Sequence, residues 1–338
     1  MSKKKKMTYA GSGVDIFKEE KTVSSLTGMV KAGRKGFGKA LNIKGHYAGL
    51  VDFGKHALTL CTDGVGSKVI IADEMKKWDT VGIDCIAMNV NDCICVGATP
   101  VAFVDYLAME KPNQKIAEQI GIGLNRGAKL SNISLIGGET ALLPELIHGF
   151  DLAGTCLGYV EKKNIITGEK IKIGDVIIGL RSSGIHSNGL TLARKIFENR
   201  YHERFPKSNK KIGEVLLEPT KIYVQEILNV IKKFRVHGLA HITGRGVRKL
   251  LRLNKNVGYF IDAPFKPHPV FKLIKEIGNV DDNEMYQTFN MGMGFCIIAS
   301  EKDADNIVDM LKDEAKIVGS VEKGKWVKIP ELSITYKK

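Results

Sequence analysis

Residues 57–68 read Ala57-Leu58-Thr59-Leu60-Cys61-Thr62-Asp63-Gly64-Val65-Gly66-Ser67-Lys68. Residues 57–62 have the apolar and β-branched character of a buried strand, and the chain then breaks into a turn. From Thr62 to Lys68 an acid, two glycines, a hydroxyl and a base are packed together. Glycines let backbone N–H groups approach an anion closely, Lys68 can neutralise phosphate charge, and Asp63 can hold Mg²⁺ through hard oxygens. A β-turn with a solvated lysine fits the same residues. The stretch is not a Walker A loop, and no G-x-G-x-x-G follows a strand, which disfavours a dinucleotide fold.

Outward from this strand, elements alternate. Residues 80–96 place Ile83, Ile86, Ala87, Val90 and Ile94 near a 3.6 period, which predicts a helix. Strands are expected at 100–107, 133–136 and 152–160, with a helix at 116–129. A helix is expected at 23–35, and the polar opening to about residue 20 reads as mobile. After residue 165 a second unit begins, with strands at 176–180, 258–261, 295–299 and 317–321. Its helices are expected at 190–199, 223–234, 247–253, 270–277 and 304–312. The pattern predicts an α/β (α+β) chain of two domains, 1–165 and 166–338, as its 338 residues also imply.

Hydrophobic residues make up 43% and charged residues 26%, which excludes a largely disordered chain. The longest uncharged run, Met285–Ser300, is too short and too polar to cross a bilayer, so no membrane partner is expected. MSKKKK is followed by no apolar core, so no secretory signal is read. The six cysteines sit mostly in apolar runs without a C-x-x-C pair, and read as reduced core thiols of a cytoplasmic protein. Net charge is +14, of which residues 161–338 carry +11 (32 basic, 21 acidic). A basic nucleic-acid-binding protein is the different-class alternative. The basic residues are scattered and no zinc-finger, RNP or helix-turn-helix pattern appears, so no nucleic-acid partner is expected.

Two further acids stand in costly places. Asp92 lies in a mostly apolar helical stretch, and Glu139, after Gly137-Gly138, ends an apolar strand. With Asp63 they read as a shared Mg²⁺–phosphate site, or as a surface acid and a helix cap. Downstream, Ser182-Ser183-Gly184-Ile185-His186-Ser187-Asn188-Gly189 joins a strand to a helix that Ser187 or Asn188 can cap, leaving N–H groups for an anion. His186 can exchange a proton near neutral pH, or can serve only structurally. His241-Ile242-Thr243-Gly244-Arg245-Gly246 is a second such loop. Phe289-Asn290-Met291-Gly292 is a third, in which Asn290 offers hydrogen bonds or fills a turn.

These motifs, with Gly82-Ile83-Asp84, Gly137–Ala141, Asp151–Gly154, Leu217–Val224 and Glu284–Gly292, occur in one order from Tyr9 to about Val321. In that order the chain resembles the phosphoribosylformylglycinamidine cyclo-ligases, or AIR synthetases. It departs from them at Leu142–Glu145, at Gln287, and at Arg245, which interrupts a triple glycine.

The resemblance implies an AIR-synthetase-like fold. In it an N-terminal mixed sheet forms a barrel-like homodimer interface, and a C-terminal mixed sheet is flanked by helices. It implies ATP-dependent ring closure of formylglycinamidine ribonucleotide. ATP and Mg²⁺ would lie on Asp63, Gly64, Val65, Gly66, Lys68, Asp92, Gly138 and Glu139, with Asp63, Asp92 and Glu139 on the metal. Substrate would lie on Ser183, His186, Ser187, Asn188, Thr243, Gly244 and Asn290, with Lys68 and His186 as catalytic residues. A selenophosphate synthetase-like or thiamine-phosphate kinase-like phosphotransferase is the alternative of the same superfamily. Against the former, Gly11-Ser12-Gly13 has no cysteine nearby.

Overall fold

The computed structural model describes residues 6–41 and 46–337. The first half carries strands β1 (Ala40–Leu41), β2 (Gly49–Phe53), β3 (His56–Gly64), β4 (Thr99–Met109), β5 (Ser134–Leu142) and β6 (Phe150–Glu161). They form one sheet in the order β1-β2-β3-β6-β4-β5, antiparallel except for the β4/β5 pair. Its helices are α1 (Ile16–Met29), α2 (Lys68–Met75), α3 (Val81–Ile94) and α4 (Gln114–Ser131).

The second half carries β7 (Asp175–Arg181), β8 (Val236–His241), β9 (Val257–Phe260), β10 (Met293–Ser300), β11 (Ala315–Lys323), β12 (Trp326–Ile329) and β13 (Ile334–Lys337). Their order is β13-β12-β9-β11-β7-β10-β8, with one parallel pair, β12/β9. The helices are α5 (Leu190–Ile196), α6 (Ile212–Leu216), α7 (Val224–Lys233), α8 (Pro269–Gly278), α9 (Asp282–Thr288) and α10 (Glu301–Leu311). Among the described residues no helix is long and apolar enough to cross a membrane.

Helix α3 decides how the halves meet. Of its residues only Asp92 is not fully buried, because one side packs on β3 and β6 and the other meets α4 and α7. The α3–α4 contact is backbone to backbone. A Cβ on Gly82 would stand 2.3 Å from the Leu124 nitrogen, so only glycine allows this crossing. On the first sheet, alternation sends Ala57, Cys61, Phe103, Leu107 and Cys156 inward under α3. The other face leaves Leu60 64% and Ile136 66% exposed, together with Tyr106, Tyr159 and Val104. All six cysteines are buried and none forms a disulfide.

Several expectations are corrected. From Lys6 onward the opening is held in place, and its helix does not span 23–35. Tyr9 donates its N–H to Glu284 Oε1 (2.8 Å), a 3₁₀ turn spans Ala10–Ser12, and α1 begins at Ile16. Asp15 caps α1 by accepting from the N–H groups of Phe17 and Lys18, so the helix starts seven residues before the apolar periodicity becomes visible. The Lys3–Lys6 run lies outside the described residues up to Lys5, and Lys6 pairs with Asp281. The strand expected to stop at Ile136 runs through both glycines to Leu142. Lys68 is the first residue of a helix, not the end of a loop. Strands β2, β8, β12 and β13 went unread because they are short, and glycine or charged residues break their alternation.

Candidate functional site

Strand β3 delivers Asp63 to the end of the sheet, in one cross-strand row with Gly154, Asp105 and Gly138. Its carboxylate takes the Gly64 N–H at 2.8 Å, and its carbonyl accepts from Asn89 Nδ2 of α3. Val65 is buried and donates its N–H to the Leu152 carbonyl, so the chain turns at Gly66, whose φ of +67° is left-handed. The last turn of α3 brings up Asp92, partly exposed, whose Oδ1 lies 2.8 Å from His241 Nδ1 at the end of β8. Burial lowers the imidazole pKa, and Asp92 only partly offsets this. His241 is therefore neutral and donates Nδ1–H to Asp92.

Asp63 is exposed to solvent. Lost hydration first, and then the charge of Asp92, push its carboxyl up from 3.8 to about 6, against the Gly64 N–H and Lys249. Two carboxylates that disfavour each other's charge form a place that gains from a cation. Lys249 adjoins them. It is 9% exposed, on the 3₁₀ turn Gly246–Arg252, and its ammonium lies over the Tyr47 ring, 5.2 Å from the centre. A cavity of about 1200 Å³ opens here between α1 and that turn, with Arg245, Arg248, Lys249 and Arg252 on its wall.

Other expected residues lie elsewhere. Lys68 does not face a phosphate. It is buried, 2.9 Å from Asp84, and donates to the Glu218 carbonyl at 2.7 Å. Glu139 pairs in register with Tyr106, then Ala153, then Gly64. That is three strand spacings from the β3 end, roughly 14 Å. Alternation also turns Glu139 to the outer face, while Asp63 and Asp105 point inward. The expected three-acid metal set is thus not assembled within this chain. Among the described residues no group of three or more His, Cys, Asp or Glu stands ready for a metal ion. Gly138 has a packing reason to be glycine, since a Cβ there would meet Asp105 Oδ1 at 2.6 Å.

The Ser182–Gly189 loop is knitted into the junction of the halves. His186 is 1% exposed, and its Nε2 accepts the Ser183 N–H at 3.2 Å and the Lys221 N–H at 3.5 Å. Burial first, then nearby histidines and lysines, hold its pKa well below the ordinary value, so the structure places it as a neutral interior side chain. Ser183 Oγ donates to the Pro219 carbonyl, and Ser187 Oγ donates to Asp84. No side chain caps α5, and that helix is short, because Gly189 takes the cap position with a left-handed φ. Asn290 is buried and satisfied by Ser182 Oγ, the Gly292 N–H and two carbonyls of the loop, so it braces the loop. Asn188 does reach the second loop, where its Oδ1 would stand 3.0 Å from a Cβ on Gly244. Thr243 is buried and accepts the Gly246 N–H through its carbonyl.

Sequence reasoning gave Asp84 and Asp105 no role beyond the family resemblance, and it missed Lys249. Asp105 is half-buried on the row of Asp63, and lost hydration raises its pKa. Lys249 left one signal, its place just after the glycine loop.

Comparison with known proteins bears on this arrangement. Residues 45–160 match the N-terminal domain, and residues 172–329 the C-terminal domain, of the AIR synthase related proteins. The phosphoribosylformylglycinamidine cyclo-ligase of Methanosarcina mazei is 57% identical over 329 residues, covering 96% of this chain and 98% of that protein. That of Methanococcus maripaludis is 53% identical, covering 94% and 92%. Among solved structures, AaThiL complexed with AMPPCP and TMP superposes with a TM-score of 0.65 at 16% identity, covering 95% of each chain. The hydrogenase maturation protein HypE superposes at 0.63 and 16%, covering 82% and 87%. At such identities the last two show a shared fold.

Proposed function

The chain belongs to the phosphoribosylformylglycinamidine cyclo-ligase family, and on that premise we propose that it closes the imidazole ring of formylglycinamidine ribonucleotide at the expense of ATP. The amide oxygen of the substrate attacks the γ-phosphorus, the bond to the bridging oxygen breaks, and ADP leaves. An internal nitrogen then attacks the activated carbon. Phosphate leaves with the former amide oxygen, the nitrogen loses a proton, and aminoimidazole ribonucleotide remains. An amide oxygen is a poor leaving group, and phosphorylation makes it a good one. The protein's work is then positioning and charge stabilisation.

The observation that carries this reading is Lys249, which lines a cation-walled cavity of nucleotide size and feels the charges of both Asp92 and Asp63. Basic side chains on a cavity wall, with two acids within reach of their charge, suit a metal–nucleotide complex. The pair fits Mg²⁺, which uses one or two carboxylates and takes its remaining oxygens from phosphates and water. Mg²⁺ bound there would neutralise phosphate charge. His241 fixes the orientation of Asp92, and the Gly64 N–H that of Asp63. Near-full-length identity to cyclo-ligases favours this reaction over the phosphotransferase alternatives and over nucleic-acid binding.

We further infer a division near residue 165 into a nucleotide-binding half and a second half that completes the site. We also infer a homodimer formed through the apolar outer face of the first sheet. Glu139 stands on that face. Reduced, buried cysteines suit work in the cytoplasm. The test measures ADP release with and without formylglycinamidine ribonucleotide, with imidazole formation measured alongside. Matched, substrate-dependent release of both is expected, and ADP release without imidazole would overturn the reading.

A further inference from the structure

Transfer of a phosphoryl group develops charge on its oxygens, and a site that stabilises this charge needs a cation at that point. Lys68 cannot supply it, because Asp84 and the Glu218 carbonyl hold its ammonium in the interior. Arg245 is engaged by Glu20 of α1. Arg248 donates to Gln287 Oε1 at 2.9 Å and lies between the rings of Phe17 and Tyr336. Lys249 differs from all three. It lines the cavity and is nine-tenths buried, yet among the described residues no hydrogen bond or ion pair holds its ammonium. Its neighbours are the Tyr47 ring and the charges of Asp92, Arg252 and Asp63. Its ammonium keeps access to the solvent of the cavity, where an anionic ligand would give it a hydrogen-bond acceptor.

We propose that Lys249 is a catalytic lysine whose ammonium contacts the γ-phosphoryl oxygens as that group passes from the nucleotide to the amide oxygen. The proposal rests on the cyclo-ligase reading above. Lys249 gives up no proton in the step. The amide oxygen forms the new O–P bond, the bond from the γ-phosphorus to the bridging oxygen breaks, and its electron pair leaves on ADP. Lys249 supplies fixed charge where the three equatorial oxygens crowd together. The charges of Asp92 and Asp63 reach it, so cation and acids can address one phosphate chain.

The experiment uses the full-length protein and its Lys249→Met and Lys249→Ala variants, with ATP, Mg²⁺ and formylglycinamidine ribonucleotide. Lys249→Met keeps the apolar stem against Tyr47 and removes the charge. Its kcat should fall roughly 10²–10³-fold, the loss typical of one group that stabilises transition-state charge, with KM for both substrates within about threefold. Added ethylamine should restore part of the turnover of Lys249→Ala, which a purely structural lysine would not allow. A folded Lys249→Met protein with kcat within about threefold of wild type overturns the proposal. So does a rise in KM for ATP at unchanged kcat. If Lys249→Met does not fold by circular dichroism, Lys249→Ala decides, and failure of amine rescue there overturns it. Wild-type protein that forms no imidazole overturns the cyclo-ligase reading and this proposal together. Active wild type with an unaffected variant overturns Lys249 alone.

Discussion

Lys68 Nζ lies 2.9 Å from each carboxylate oxygen of Asp84, and neither side chain is exposed. The pair joins the two halves. Lys68 opens α2 and Asp84 lies in α3, while the same Asp84 Oδ1 accepts from the Thr220 N–H (2.7 Å), Thr220 Oγ1 (2.6 Å) and Ser187 Oγ (3.0 Å). Burial pulls the Lys68 ammonium below the usual lysine range, and Asp84 opposes this. Removing one partner of such a pair leaves an uncompensated interior charge. Lys68→Met should therefore lose about 3–5 kcal/mol of stability. Urea unfolding measures it, and a loss below about 1 kcal/mol would mean that the hydrogen bonds to Asp84 hold the junction without Lys68.

Asp63 predicts a pH dependence of stability with a definite sign. Its carboxyl is raised from 3.8 to about 6, so between those values the folded chain holds a proton that the unfolded chain has lost. The group's contribution to stability is fully present below 3.8 and is lost as pH rises through about 6. Asp63→Asn should thus be more stable than wild type at pH 7.5, by no more than about 1 kcal/mol because solvent reaches this side chain. The gap should close as pH falls toward 4. Substrate-dependent ADP release should meanwhile drop about 10²-fold or more. Thermal melts across pH together with turnover check both parts, and a variant less stable than wild type at pH 7.5 would contradict the sign.

Arg245 takes a left-handed φ of +84° where a glycine would be relaxed, and its guanidinium pairs with Glu20 on α1. Arg245→Gly removes roughly 1–2 kcal/mol of backbone strain and an ion pair worth up to about 1 kcal/mol. Global stability should change little, while α1 loses an anchor. Trypsin should cut at Lys18 and Lys21 faster in the variant at an unchanged melting temperature. Equal cutting would show that Ile16 and Phe17 hold α1 unaided.

The outer face of the first sheet predicts the oligomeric state. Leu60 and Ile136 are 64% and 66% exposed, on strands from opposite parts of that sheet. Apolar side chains this open, with Tyr106 and Tyr159 among them, form a patch that a second copy would cover. Leu60→Glu should shift sedimentation from dimer to monomer with little change in the monomer's own fold. Wild-type protein that sediments as a monomer at micromolar concentration would remove this interface.

The sequence by itself determined the alternation of strands and helices, the two sheet-forming halves and the family. These rest on local pattern. Val90 and Ile94 recur at helical spacing whatever surrounds them, and the Thr62–Lys68 turn arises from its glycines. It also placed Asp63 and Asp92, because acids at the ends of apolar elements need a reason to be there. Only the tertiary structure decided which charged groups share a place. Strand register puts Glu139 on the opposite face from Asp63, three strands away. The docking of α3 against the second half sends Lys68 and His186 into the interior. The turn after β8 brings Lys249, 186 positions from Asp63 in the chain, to its side. Burial and proximity arise from how elements pack, and spacing along the chain carries neither.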